Sequence, residues 1–121
     1  MIIKTYMNAS IPQVSVAGSG EEITLVIGGN ILSTNVQEVR QKVLDVLNQN
    51  ETGNPLWKRL HIDLTAAQMI DSTGLNFLVA VTRHVKKRGI ELKITVTSPN
   101  ISKSFNFIRL NRQADIVLIS A

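Results

Sequence analysis

Leu60-His61-Ile62-Asp63-Leu64, then Thr65-Ala66-Ala67-Gln68, then Met69-Ile70-Asp71-Ser72-Thr73-Gly74-Leu75-Asn76-Phe77-Leu78 is the stretch on which the reading of this chain turns. The first five residues alternate apolar and polar, the pattern of a half-buried strand. After a four-residue link, Leu75, Leu78, Val79, Thr82 and Val85 recur at helical spacing. Arg83, Lys86, Lys87, Arg88 and Gly89 close that helix with basic residues and a glycine stop. The junction between strand and helix has its own logic. Met69 and Ile70 are apolar tethers, Asp71, Ser72 and Thr73 fall in the capping region, and Gly74 lets another surface come close. Asp-Ser-Thr-Gly by itself is only a good helix start; its setting makes it informative.

Working upstream, Gln13-Val14-Ser15-Val16 and Ile23 to Ile27 flank the turn Gly18-Ser19-Gly20, which predicts a hairpin. Gly28-Gly29-Asn30 breaks the second strand, read here as a strand end needing backbone freedom. It lacks the Gly-x-Gly-x-x-Gly spacing and no Gly-Lys-Ser/Thr follows, so it is not a phosphate loop. Val36, Val39, Val43, Val46 and Leu47 predict a helix from Asn35 to Asn48, and Gln49 to Pro55 reads as a loop. Downstream, Leu92 to Thr97 alternates as a strand. Ser98-Pro99-Asn100 opens a short helix carrying Ile101, Phe105 and Ile108, and Ile116 to Ile119 forms a last strand. Strands alternating with helices after a hairpin imply an α/β open mixed sheet with parallel crossovers. Because the strands alternate instead of running continuously apolar, the helices are expected mainly on one face.

Composition narrows the function. At 121 residues the chain is one domain's worth, and 44% hydrophobic with 18% charged residues excludes low-hydrophobicity disorder. The absence of cysteine removes disulfide scaffolds, thiolate metal sites and cysteine nucleophiles. Two histidines are too few for a zinc centre, and three Phe, one Tyr and one Trp are too few for base stacking. No apolar run is long enough to span a bilayer, and Met1-Ile2-Ile3-Lys4-Thr5 does not open a secretory signal, so a soluble cytoplasmic domain is expected. Lys and Arg number 13 against 9 Asp and Glu, a net +4, and much of it sits in Arg83, Lys86, Lys87 and Arg88. One cluster at a helix end complements the helix dipole and does not make a nucleic-acid surface. His61, Asp63 and Ser72 could be sketched as a hydrolytic triad, but the Gly-x-Ser-x-Gly elbow is missing and no oxyanion hole is visible. His84, among basic residues, reads as solvated. No cofactor and no metal are expected.

With these elements and the Ile70-Asp71-Ser72-Thr73-Gly74-Leu75 junction in place, Gln13 to Ile119 resembles the STAS domain family. Its best-known members are the bacterial anti-anti-sigma factors, or anti-sigma factor antagonists. The resemblance implies a single STAS-like domain over 1–121 with its core at 13–119. It implies a binding module without enzymatic activity, switched by phosphorylation at Ser72, with Thr73 as the minor alternative. Asp71, Ser72, Thr73, Gly74, Asn76, Gly29 and Asn30 would form the partner-binding surface. The partners implied are an anti-sigma factor that is a serine kinase and a serine phosphatase for reset, with no nucleic acid, no membrane insertion and a monomer when free. The alternative within the family is an accessory subunit binding the ATPase of a lipid-trafficking ABC transporter. One departure stands out: where regulatory members carry Gly-Glu-Leu-Asp after the second strand, this chain has Gly29-Asn30-Ile31-Leu32.

Overall fold

A computed structural model describes residues 12–18, 21–51 and 58–119. In chain order the elements are β1 (Val14–Ala17), β2 (Glu22–Ile27), α1 (Val36–Glu51), β3 (Arg59–Leu64), α2 (Ser72–Lys87), β4 (Glu91–Val96), α3 (Pro99–Phe107), a 3-10 turn (Leu110–Arg112) and β5 (Asp115–Leu118). The five strands form one sheet in the order β1-β2-β3-β4-β5. β1 pairs antiparallel with β2 as the expected hairpin, of whose turn Ser19 and Gly20 lie outside the described residues. All later pairs are parallel.

Strand order that advances one place at each parallel crossover sends every right-handed crossover helix to the same side. Burial follows that rule. Ile23, Leu60 and Leu92 align across three strands, as do Leu25, Ile62 and Ile94, and all six lie on the face packed by the helices. Val39, Val43 and Leu47 of α1, Leu78, Val81 and Val85 of α2, and Ile101 and Phe105 of α3 complete that core. Each fully buried side chain of this size contributes about 1.5–3 kcal/mol. The opposite face carries the rows Thr24-His61-Lys93-Asp115 and Val26-Asp63-Thr95-Val117. Of these only Thr95 is buried.

Three expectations need correction. The backbone stays helical through Glu51, so the loop read from Gln49 begins later; residues 52–55 of it lie outside the described residues. Gly28 and Gly29 do not adopt a left-handed conformation. Gly29 is instead packed by Pro12, whose Cβ would lie 3.2 Å from an added Cβ. His84 is only partly solvated, half-buried in the narrow groove between α1 and α2 beside Arg40, Leu44 and Phe77.

Candidate functional site

The parallel crossovers bring the loop after β2 and the loop after β3 to the same end of the sheet. Asp71 is the extended N-cap of α2, with φ −86° and ψ −176°. Its Oδ1 accepts the Gly74 N–H at 3.0 Å and the Thr73 hydroxyl at 2.8 Å. That is the capping geometry expected of an aspartate directly before a helix. Its Oδ2 turns the other way and accepts the Ser33 N–H at 2.7 Å, in the loop after β2. The backbone N–H of Gly74, followed by that of Ser33, holds the carboxyl down to about 2 from its ordinary 3.8.

Asn30 makes a second tie between the loops. Its Oδ1 accepts the N–H groups of Gln68 at 2.8 Å and Met69 at 3.0 Å. Behind it, buried Asn35 donates from Nδ2 to the Asn30 carbonyl at 3.0 Å and accepts the Leu32 N–H at 3.0 Å. Ile31 and Ile70 form a parallel bridge, and the Asp71 N–H reaches the Ile31 carbonyl at 3.3 Å. A Cβ on Gly74 would lie 2.4 Å from that same carbonyl oxygen and 2.7 Å from Ile70 Cγ2. The close approach that Gly74 permits is therefore made by Ile31 of its own chain, and Gly74 itself is buried.

On this braced junction Ser72, Thr73 and Asn76 are exposed, and Met69 projects beside them at 59% exposure. Ser72 is the first helical residue, in the turn where backbone N–H groups lack helical partners. Of the residues singled out from sequence, Asn30, Asp71, Ser72, Thr73 and Gly74 meet here and Asn76 follows on the first turns of α2. Gly29 lies at the start of the same loop after β2. Ser33, Asn35 and Ile31 were not singled out. Only Asn35 had a sequence signal, an asparagine directly before an apolar helical run.

The residues of the sketched triad have other partners. His61 Nε2 lies 2.6 Å from Thr95 Oγ1 on the open face, and the Asp63 carboxylate accepts the N–H and hydroxyl of Thr65. Among the described residues no group of three His, Asp or Glu could hold a metal ion, and no helix is long and apolar enough to cross a membrane.

Residues 13–118 match the family model of the STAS domain. No curated protein matches the chain significantly. Among solved structures, an anti-sigma factor antagonist from Mycobacterium paratuberculosis superposes with a TM-score of 0.73 at 17% identity, over 88% of this chain and 85% of that one. The anti-sigma factor antagonist SpoIIAA in its unphosphorylated form gives 0.62 at 15% identity, over 91% and 88%. The Bacillus cell fate determinant SpoIIAA in the phosphorylated form gives 0.63 at 16% identity, over 88% and 90%. At such identities the likeness is one of fold. With a five-stranded mixed sheet helical on one face, the Asp71-Ser72-Thr73-Gly74 junction capping α2, and the family match spanning nearly every described residue, the chain belongs to the STAS domain family.

Proposed function

We propose that this STAS domain is an anti-sigma factor antagonist, a non-enzymatic module of one domain over 1–121 that acts in the cytoplasm as a monomer. It sequesters an anti-sigma factor serine kinase and is released when that kinase phosphorylates Ser72. The observation that carries this reading is the setting of Ser72: an exposed hydroxyl on the first turn of a helix whose start is held rigid by Asp71, Asn30 and Gly74. Phosphorylation adds about −1.5 to −2 charge. In the free domain that charge faces the positive end of α2 and its unpaired N–H groups, which stabilise it. In a complex built around a neutral hydroxyl the same charge is desolvated and expelled. The switch thus works without refolding, and a serine phosphatase resets it. Ser72, Thr73 and Asn76 face the partner, while Asp71, Gly74, Gly29 and Asn30 shape the surface from below.

The test is capture from the source organism's lysate with ADP present, using the wild-type chain and Ser72→Glu as baits. Retention of a small soluble ATPase-kinase by wild type alone supports the switch. Retention of one transporter ATPase by both baits replaces it with the transporter-subunit reading.

A further inference from the structure

A cavity lined by described residues lies at the other end of the sheet, away from Ser72. It is a half-open cleft of about 660 Å³. β4 begins at Glu91, whereas β5 first pairs with it through Lys93 and Asp115, so among the described residues the first two of β4 have no strand neighbour on that side. The cleft occupies this step. Leu60, Ile90, Leu92 and Ala114 line it, none more than 8% exposed. Gly89 also lines it, with open space where a Cβ would stand.

The charges around the rim do not cancel. Glu22, Arg59 and Glu91 are in-register neighbours on three strands, and Lys93 faces Asp115. These alternate in sign across the strands. Their three carboxylates against two cations leave one negative charge, so that with Lys86 and Arg112 the lining is net +1. Lys86, in the last turn of α2, and Arg112, in the 3-10 turn, have no such neighbour in the lining. Among the described residues neither side chain makes a hydrogen bond or ion pair. Two free cations over an apolar floor match a molecule with one anionic end and one apolar body.

We propose that this cleft binds a small amphipathic organic anion, its apolar body on Leu60, Ile90, Leu92 and Ala114 and its anionic group between Lys86 and Arg112. Lys86 and Ser72 are fourteen positions apart on α2, about 20 Å along the helix axis. The site is therefore separate from the docking surface and stands or falls without it.

The probe is 8-anilinonaphthalene-1-sulfonate, titrated into the full chain while backbone amide shifts are followed. N-phenyl-1-naphthylamine is the uncharged counterpart, and inorganic phosphate is the anion without a body. Saturable shifts are expected at Leu60, Ile90, Leu92 and Ala114. In the Lys86→Ala/Arg112→Ala double variant, whose changes are both on exposed residues, sulfonate affinity should fall about tenfold or more. Affinity for the uncharged amine should stay the same. The proposal is overturned if no shifts occur up to about 1 mM sulfonate, if they concentrate in the groove between α1 and α2, or if the double variant binds the sulfonate as wild type does. Phosphate binding as tightly as the sulfonate would also overturn it, because the apolar floor would then contribute nothing.

Discussion

The Oδ2 atom of Asp71 accepts the backbone N–H of Ser33 at 2.7 Å, across 38 positions of sequence. The same carboxylate caps α2 through Gly74, so one side chain starts a helix and fastens a distant loop to it. Ser72 follows directly, and its position depends on both bonds.

Acid should loosen this junction before the rest of the sheet. The folded carboxyl of Asp71 titrates near 2, whereas the unfolded chain has the ordinary value of 3.8. A depressed folded value means that the unfolded state takes the proton first as pH falls. The stabilisation is therefore full above about 4 and drains away between there and about 2. Denaturant unfolding of wild type and Asp71→Asn should show a gap at pH 6 that narrows progressively below pH 4. A gap that does not change over this range would mean that the carboxylate charge is not what holds the loop.

Gly74→Ala should destabilise the domain by about 2 kcal/mol or more, because the nearest obstacle is the backbone oxygen of Ile31, which cannot rotate away. Gly89→Ala makes the control. There the space is open but φ is +73°, so the cost should be about 1 kcal/mol and arise from backbone strain alone. Urea midpoints of the two variants would rank them.

Removing the Asn30 carboxamide leaves the Gln68 and Met69 N–H groups without their acceptor. Asn30→Ala should lower stability by about 1–2 kcal/mol. Amide hydrogen exchange at Gln68 and Met69 should accelerate while strand amides such as Ile62 stay protected. Asn30→Asp, which keeps an oxygen in place, should restore most of that protection.

Arg109 is the only non-glycine with positive φ among the described residues, at 62°, where α3 gives way to the 3-10 turn. A left-handed conformation costs a side-chain-bearing residue about 1–2 kcal/mol, against the 0.5–1 kcal/mol of chain entropy that glycine loses. Arg109→Gly should thus raise stability by about 0.5–1 kcal/mol in thermal unfolding, and Arg109→Val should lower it.

Much of the fold was legible in the sequence. Alternation in Leu60 to Leu64 and Leu92 to Val96 marked both the strands and the single covered face, and Val36 to Leu47 and Leu75 to Val85 marked two helices. The helix end at Glu51 was not legible, because Gln49 and Asn50 have turn chemistry as well as helical tolerance. The 3-10 turn at Leu110 carried no periodic signal, being only three residues long.

For the candidate site, the sequence by itself determined the order of residues at the junction: an aspartate cap, a serine on the first turn, and a glycine where close contact is allowed. These follow from rules acting over a few neighbouring residues, which a linear chain displays openly. Tertiary structure alone decided what each does. Asn30 binds Gln68 and Met69, Ser33 binds Asp71, and Ile31 packs on Gly74. Each pair is about forty residues apart and meets only because the β2-α1-β3 crossover sets the two loops side by side. The cleft beside Lys86 and Arg112 has the same origin, for it comes from a two-residue offset between β4 and β5 that no local pattern encodes.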